Sequence, residues 1–194
     1  MILSVSLQKP FFIYVCLLMS SVGYCSIAYC GEVVKNTVSH KNGVYNASLV
    51  MQINAPTDKV YALFTDYDEL ARLSDNITDS ELIDEDPPEY TVIVKTHNCV
   101  LFFCKDLTQT QQVLELGEGY IVFEDIKGQS DFIHAESYWH IFAYKKGTRV
   151  TFNSEMKPGF WLPPLIGPWY FKKSLLQETK DMIQQLEKLA ANDK

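Results

Sequence analysis

The chain has 194 residues, of which 47% are hydrophobic and 13% aromatic, and its formal net charge at pH 7 is −7. This length suits one domain with a sizeable core, and this composition argues against a disordered chain. The acidic balance and the lack of any Lys/Arg run argue against nucleic-acid binding, because phosphate contacts need clustered cations.

The first 28 residues have the pattern of a secretory signal peptide. Lys9 is the only charged side chain before the apolar run Phe11–Met19, and the small and polar residues of SSVGYCSIA follow that run. The run is shorter than the roughly 20 residues of a membrane span. We therefore expect cleavage after Ala28 and an exported protein, periplasmic or secreted. An uncleaved N-terminal membrane anchor is the alternative.

Residues 29–44 read as a polar leader, and the domain is expected to begin at residue 45. Apolar and mostly polar positions alternate over residues 45–54, which predicts a half-buried strand. Ala55-Pro56-Thr57-Asp58 ends this strand and begins a short helix. A second short helix is predicted at Tyr67–Leu73.

Six further strands are predicted after these helices, and turn residues separate most of them, as in an antiparallel meander. They lie near residues 77–84, 89–98, 105–116, 119–127, 132–145 and 148–157. The Pro-rich segment MKPGFWLPPLIGPWYF follows. Apolar residues then recur every three to four positions from Leu175 to Ala190, which predicts a long amphipathic helix.

This order of elements predicts an α+β helix-grip fold, in which a curved antiparallel sheet wraps around a long C-terminal helix. The chain resembles the START-like (SRPBCC) superfamily, in particular its polyketide cyclase/dehydrase and coenzyme Q-binding members. The resemblance is carried by INAPTDKVYALFTDYDELARLSDNI, by the strand containing Trp139 before KKGTRVTF, and by the Pro-rich entry to the last helix. SDFIHAESYWHIF and FWLPPLIGPWYFKKSLL are similar to an exported bacterial subset. The resemblance covers residues 45–191.

The resemblance implies a deep apolar cavity between the sheet and the long helix. Large side chains on the sheet and at the helix entry could line it, and an ordinary core role is the alternative. The candidates for the cavity lining are Phe123, Trp139, Phe152, Met156, Trp161 and Trp169.

No catalytic residue, metal site or cofactor is predicted. The sequence contains no nucleophile-elbow motif and no glycine-rich phosphate loop. His134 and His140 lie about 20 Å apart along one strand, so one metal ion cannot bind both. Their strand face is opposite to that of Trp139, which we expect to point inward. His97 is expected at the surface.

An apolar rim is expected at one end of the sheet. In an up-and-down meander every second connection lies at the same end, so the segments 99–104, 128–131 and 157–165 should cluster with the start of the last helix. Their apolar residues would gate the cavity and touch a membrane or a partner; a closed cap of mutually packed loops is the alternative. The rim candidates are Leu101, Phe102, Phe103, Phe132, Phe160, Trp161 and Leu162.

Cys99 and Cys104 bracket the segment VLFF. In an extended chain they would lie roughly 16 Å apart, whereas a disulfide needs Cα atoms within about 7 Å. A bond therefore requires VLFF to turn back on itself, which its residue types do not favour but a covalent link would offset. For an exported protein we expect the Cys99–Cys104 disulfide, and two reduced strand cysteines are the alternative.

Three functions remain open, because one fold can carry many. We favour non-enzymatic binding or transport of a lipid or other hydrophobic small molecule, with transient membrane contact, since the sequence shows no polar cluster suited to catalysis. A cyclase/dehydrase-type enzyme and a protein-binding module that uses its apolar end are the alternatives.

Overall fold

The computed structural model describes residues 31–100, 103–161 and 167–192. The expected signal peptide therefore lies outside the described residues. The elements of the described chain, in order, are β1 (Glu32–Lys41), β2 (Val44–Ile53), α1 (Thr57–Phe64), a 3-10 helix (Tyr67–Leu73), β3 (Ile77–Asp86), β4 (Glu89–Val100), β5 (Phe103–Gly117), β6 (Tyr120–Ser130), β7 (Phe132–Tyr144), β8 (Gly147–Pro158) and α2 (Gly167–Asn192).

All of these strands join one antiparallel sheet in the order β1-β2-β8-β7-β6-β5-β4-β3. The sheet is long and curved, and its helix-covered face is called the inner face below. The chain passes from β2 to the far edge strand β3 through α1 and the 3-10 helix. Buried residues of both short helices and of α2 share one core with the inner face. This arrangement is the helix-grip fold that the order of elements predicts.

The inner face follows from the period of two in each strand. In β2, Tyr45, Ala47, Leu49, Met51 and Ile53 are all at most 4% exposed, while the positions between them are partly or fully exposed. Alternate side chains of a strand point to opposite faces, so these five residues define the buried side of β2. The alternation predicted from the sequence is confirmed.

The C-terminal half of α2 is fixed to the edge of the sheet and to α1. Ile183, Leu186 and Ala190 are buried at helical spacing. The Glu187 carboxylate oxygen Oε1 accepts hydrogen bonds from the backbone N–H groups of Gly31 and Asn54, both at 2.7 Å. No helix among the described residues is long and apolar enough to cross a membrane.

Strand β1 is a feature that the sequence analysis did not anticipate, because it lies within the segment read as a polar leader. It pairs with β2 from Glu32 to Lys41 and forms one edge of the sheet. Most of its side chains are exposed. The pairing uses main-chain N–H and C=O groups, which every residue except proline supplies. An exposed edge strand therefore carries little hydrophobic signal.

Candidate functional site

The inner face is packed tightly at the end covered by the short helices and less tightly toward the β4–β5 turn. We call the end that carries this turn the hairpin end. Met51, Ile121, Ile141 and Val150 are at most 2% exposed and belong to the closed core. Farther toward the hairpin end, large inner-face side chains keep accessible surface. They are Phe123, Trp139, Phe152 and Met156.

Three of these side chains form an aromatic wall, defined as Phe123, Trp139 and Phe152. The Trp139 and Phe152 rings are paired across β7 and β8 with centroids 4.3 Å apart. The Trp139 indole N–H donates to Ser137 Oγ at 3.1 Å, which satisfies its one polar atom. Ligand pockets are lined mainly by hydrophobic and aromatic side chains of this kind, which also occur at the edges of ordinary cores.

A polar cluster stands beside the aromatic wall on strands β5 and β6, and the sequence analysis missed it. The Asp125 carboxylate accepts hydrogen bonds from Gln111 Nε2 at 2.8 Å, from Gln109 Nε2 at 3.1 and 3.3 Å, and from the Ser130 hydroxyl. Gln111 and Asp125 are directly opposed across the two strands, as are Val113 and Phe123, so the cluster shares the inner face with the wall. All four members are half-buried.

A second polar group on the same face of β5 is Glu115. Its Oε2 accepts from the Tyr61 hydroxyl at 2.5 Å and its Oε1 from the Tyr67 hydroxyl at 2.8 Å. Burial, followed by these hydrogen bonds and the negative charge of Glu115, raises the pKa of both tyrosines above the ordinary 10.0. Tyr67, the first residue of the predicted second short helix, is 3% exposed and tethers the 3-10 helix to the sheet.

The connections at the hairpin end converge as the meander predicts. The backbone N–H of Asp131 donates to Thr108 O, and that of Gly159 donates to Asp131 O, both at 3.0 Å. The Phe132 and Phe160 rings pack edge to face with centroids 5.7 Å apart. These contacts join the 128–131 connection to β5 and to the residues after β8.

The start of α2 lies at the same end. The Tyr170 hydroxyl donates to the carbonyl of Cys99, and the Phe171 ring lies 5.6 Å from that of Tyr45. The first turns of α2 therefore reach both β4 and β2, on either side of the aromatic wall.

The predicted Cys99–Cys104 disulfide is present in the structure. The two cysteines are directly opposed across β4 and β5, with Cα atoms 3.9 Å apart. Val100 is paired with Phe103 between the two cysteines, and Leu101 and Phe102 lie outside the described residues.

The other predicted positions are distributed as follows. Trp161 is 71% exposed and Trp169 is 63% exposed, so neither contributes to the aromatic wall. Phe132 and Phe160 are half-buried against each other. Leu162 lies outside the described residues, and so does the side chain of Phe103.

On β7, Ile141 is buried and Trp139 packs against the core, whereas His134 is exposed, as predicted for the opposite face.

The polar cluster had a weak signal in the sequence. Gln109 and Gln111 occupy alternate positions in TQTQQ, between Leu107 and Val113, which are both buried. Two amides at alternate positions on the otherwise apolar face of β5 are the sequence signal for a polar group on the inner face. Asp125 becomes their partner only through the pairing of β5 with β6, where a register shift between Gln109 and Gln111 brings Ser130 opposite Gln109.

Solved structures share this fold at low sequence identity. A START superfamily protein from Mycobacterium smegmatis has a TM-score of 0.61 at 12% identity, over 74% of this chain and 98% of that one. The Zhui aromatase/cyclase from Streptomyces sp. R1128 has a TM-score of 0.58 at 12% identity, over 77% and 94%. A STAR-related lipid transfer protein from Xanthomonas axonopodis has a TM-score of 0.55 at 15% identity, over 80% and 98%.

The comparison with curated protein sequences found no match. The sequence profile of one family, described as polyketide cyclase / dehydrase and lipid transport, matches residues 46–192. This match extends from β2 to the end of α2 and includes the aromatic wall and the polar cluster. The chain therefore belongs to the polyketide cyclase / dehydrase and lipid transport family.

Proposed function

We propose that the protein binds a lipid or another hydrophobic small molecule against the aromatic wall, beneath the first turns of α2, and carries it without chemical change. Family and fold support either hydrophobic ligand binding or polyketide cyclase chemistry. The observation that carries the proposal is the accessible surface left on Phe123, Trp139 and Phe152, although each side chain points to the core side of the sheet. Apolar surface of this kind gains free energy when a ligand removes it from water.

The polar cluster indicates which polar group the mainly apolar ligand would have. The amide nitrogens of Gln109 and Gln111 are used in bonds to Asp125, and no described residue donates to their amide oxygens. An amide held by its nitrogen presents its oxygen as an acceptor. The matching ligand is therefore mainly apolar, with a hydroxyl or another hydrogen-bond donor at one end.

A single-tryptophan reporter tests binding at the wall. The chain has three tryptophans, so the Trp161→Phe/Trp169→Phe variant retains only Trp139. Dibromostearate, a fatty acid whose bromine atoms quench indole fluorescence on contact, serves as the probe. We expect saturable quenching of Trp139.

The matched control moves the indole to the outer face. In the same background, Trp139→Phe with Tyr138→Trp places the reporter one residue away on the opposite side of β7, where Tyr138 is 49% exposed. We expect no saturable quenching there. Equal quenching of both reporters, or none in either, would refute binding at the wall.

A cyclase/dehydrase-type enzyme is the second candidate, and the polar cluster is the observation that favours it. Asp125 lies on the same face as the aromatic wall, where a carboxylate could move protons on a bound substrate. Asp125→Asn retains the size of the side chain and removes its charge. If it abolishes turnover of a poly-β-ketone substrate while dibromostearate still quenches Trp139, the protein is an enzyme. If the unmodified protein turns over no such substrate but binds the fatty acid, the carrier proposal stands.

We further propose that the hairpin end touches a membrane during ligand transfer. Trp161 and Trp169 are exposed. Lys173 Nζ lies 5.5 Å from the Trp169 ring, and Lys105 Nζ lies 5.1 Å from the ring of Phe160, the residue before Trp161. Tryptophan and lysine together are typical of surfaces that bind the membrane–water interface.

Flotation with vesicles of phosphatidylglycerol and phosphatidylcholine tests this contact. We expect Trp161→Ser and Phe103→Ser to weaken binding and Leu116→Ser to leave it unchanged. Leu116 is 60% exposed but lies at the opposite end of β5. Equal or negligible binding by all four proteins would contradict membrane contact and leave a protein partner for this end, which a pull-down with the same variants would detect.

Export remains part of the proposal, and the disulfide supports it because such bonds persist in oxidising compartments. The intact mass of protein from the periplasm or the medium tests it. A mature chain that begins at residue 29 is expected; an uncleaved chain in the membrane fraction would favour the anchored alternative.

A further inference from the structure

A group of metal-ligand side chains surrounds the disulfide on strands β4 and β5. His97 opposes Asp106, and two residues farther along Cys99 opposes Cys104, so all four side chains lie on one face of the hairpin. The ligand atoms of His97, Cys99 and Cys104 lie within 4.8 Å of one another. This proximity is a property of the register, since residue 97 lies seven positions from residue 104 in the sequence.

The histidine is oriented as a ligand would be. Its Nδ1 lies 2.6 Å from the Asp106 carboxylate, and its Nε2 lies 3.5 Å from Cys99 Sγ. A carboxylate at Nδ1 favours the tautomer with the proton on that nitrogen, in which Nε2 can act as a metal ligand. The same carboxylate–histidine arrangement orients imidazole ligands in zinc sites.

We propose that reduction of the Cys99–Cys104 disulfide converts the hairpin into a binding site for Zn²⁺, with Cys99 Sγ, Cys104 Sγ and His97 Nε2 as ligands. Two thiolates and one imidazole are a favoured ligand set for zinc, and three protein ligands leave a fourth tetrahedral position for water or another donor. Asp106 acts through His97 as a positioning residue. The sequence analysis predicted no metal site, and the pairing of β4 with β5 is what brings His97 close to Cys104.

The reductant in this proposal is a dithiol. A thiolate of the reductant attacks Sγ of Cys104, the more exposed of the two residues, and forms a mixed disulfide while Cys99 leaves as a thiolate. The second thiol of the reductant displaces Cys104, so the reductant becomes the disulfide and two electrons pass to the protein. Binding of Zn²⁺ then requires both cysteines as thiolates and releases any protons they carry.

The surroundings permit an ion to enter. Cys104 is exposed, and the side chains of His97 and Asp106 are 49% and 90% exposed. Lys105, the cation nearest in sequence, is engaged elsewhere, with Phe160 at 5.1 Å and Asp131 at 3.8 Å.

Cobalt titration tests the site, because Co²⁺ replaces Zn²⁺ and bound thiolate gives a charge-transfer absorption. The full chain is used with Cys16, Cys25 and Cys30 replaced by Ser, so that only Cys99 and Cys104 contribute thiols. We expect no thiolate–cobalt band from the oxidised protein and one equivalent of Co²⁺ bound after anaerobic reduction and removal of the reductant. Zinc should bleach the band, and a chromophoric chelator in competition gives its affinity.

Variants separate a metal site from simple thiol binding. His97→Ala and Asp106→Asn should each weaken zinc binding to the reduced protein, by at least about tenfold for the ligand and by about 10- to 100-fold for the positioning residue. His134→Ala, which removes an exposed histidine on another strand, should leave the zinc affinity of the reduced protein unchanged.

Each oxidised variant should retain the circular dichroism of the parent, which shows that it folds. Binding that is equal in the oxidised and reduced proteins, the lack of a thiolate–cobalt band after reduction, or an unchanged affinity in His97→Ala would overturn the proposal.

Discussion

Replacing Tyr67 by Phe removes one hydroxyl from the contact that ties the 3-10 helix to the sheet. The ring remains, with its neighbours Tyr90 and Phe123 at centroid distances of 5.2 and 6.3 Å, so little packing is lost. What is lost is the 2.8 Å bond to Glu115 Oε1, in a site where Tyr67 is only 3% exposed.

The expected loss of stability depends on the hydrogen bond that Glu115 still accepts from Tyr61. A hydrogen bond to a charged group contributes about 1.5–3 kcal/mol, and a half-buried carboxylate oxygen is left without its donor. Tyr61 still donates to the other oxygen, so we expect about 2 kcal/mol of lost stability rather than the full cost of isolating Glu115. This corresponds to a fall in Tm of about 4–8 °C for a domain of this size.

Urea unfolding followed by tryptophan fluorescence measures this change, with Tyr120→Phe as the control. Tyr120 is 45% exposed, and its hydroxyl donates to no described residue, so its variant should differ from the parent by less than about 0.5 kcal/mol. An equally small change for Tyr67→Phe, at an unchanged denaturant slope, would refute the structural role assigned to the Tyr67–Glu115 bond.

Three further predictions concern stability. Because the pKa of Tyr67 is raised in the folded state, its contribution to the unfolding free energy is complete below pH 10 and is lost at higher pH, where Tyr67 of the unfolded chain ionises first. Above pH 10 the unfolding free energy of the parent should therefore fall by up to about 1.4 kcal/mol per pH unit more than that of Tyr67→Phe. Urea titrations across pH 9–12 measure this difference. Gly119→Ala should destabilise the protein by more than about 3 kcal/mol, because Gly119 has φ +81° and an added Cβ would lie 1.9 Å from a carbonyl oxygen of β7. Gly43→Ala is the control: Gly43 has φ +79° but open space around it, so the variant should lose only about 1 kcal/mol. Thermal unfolding compares the two variants, and similar losses would contradict the clash. Replacing Cys99 and Cys104 together by Ser should lower stability in urea by about 2 kcal/mol, as expected for so short a loop, and no loss would show that the disulfide does not stabilise the fold.

Part of the candidate site was accessible from sequence. Trp139 was assigned inward because strand alternation is local, and the structure places it against the core. The convergence of the hairpin-end connections followed from the up-and-down meander, in which every second connection lies at the same end of the sheet. Trp161 and Trp169 were expected to line the cavity because they are large and lie at the entry to the last helix. Both are exposed, since size and position in the sequence do not set the direction of a side chain outside a regular strand.

The chain's local patterns were sufficient for the helix-grip order from β2 to α2 and for the family, because period-two strands and an amphipathic helix record in each segment which side is buried. The tertiary structure decided what depends on strand register and on the packing of the short helices: Asp125 opposite Gln111, Glu115 beneath Tyr61 and Tyr67, and Cys104 near His97. It also decided that β1 completes the sheet, since backbone pairing at an exposed edge needs no apolar side chains. Polar contacts of this kind join residues far apart in sequence, and no single segment contains the information that brings them together.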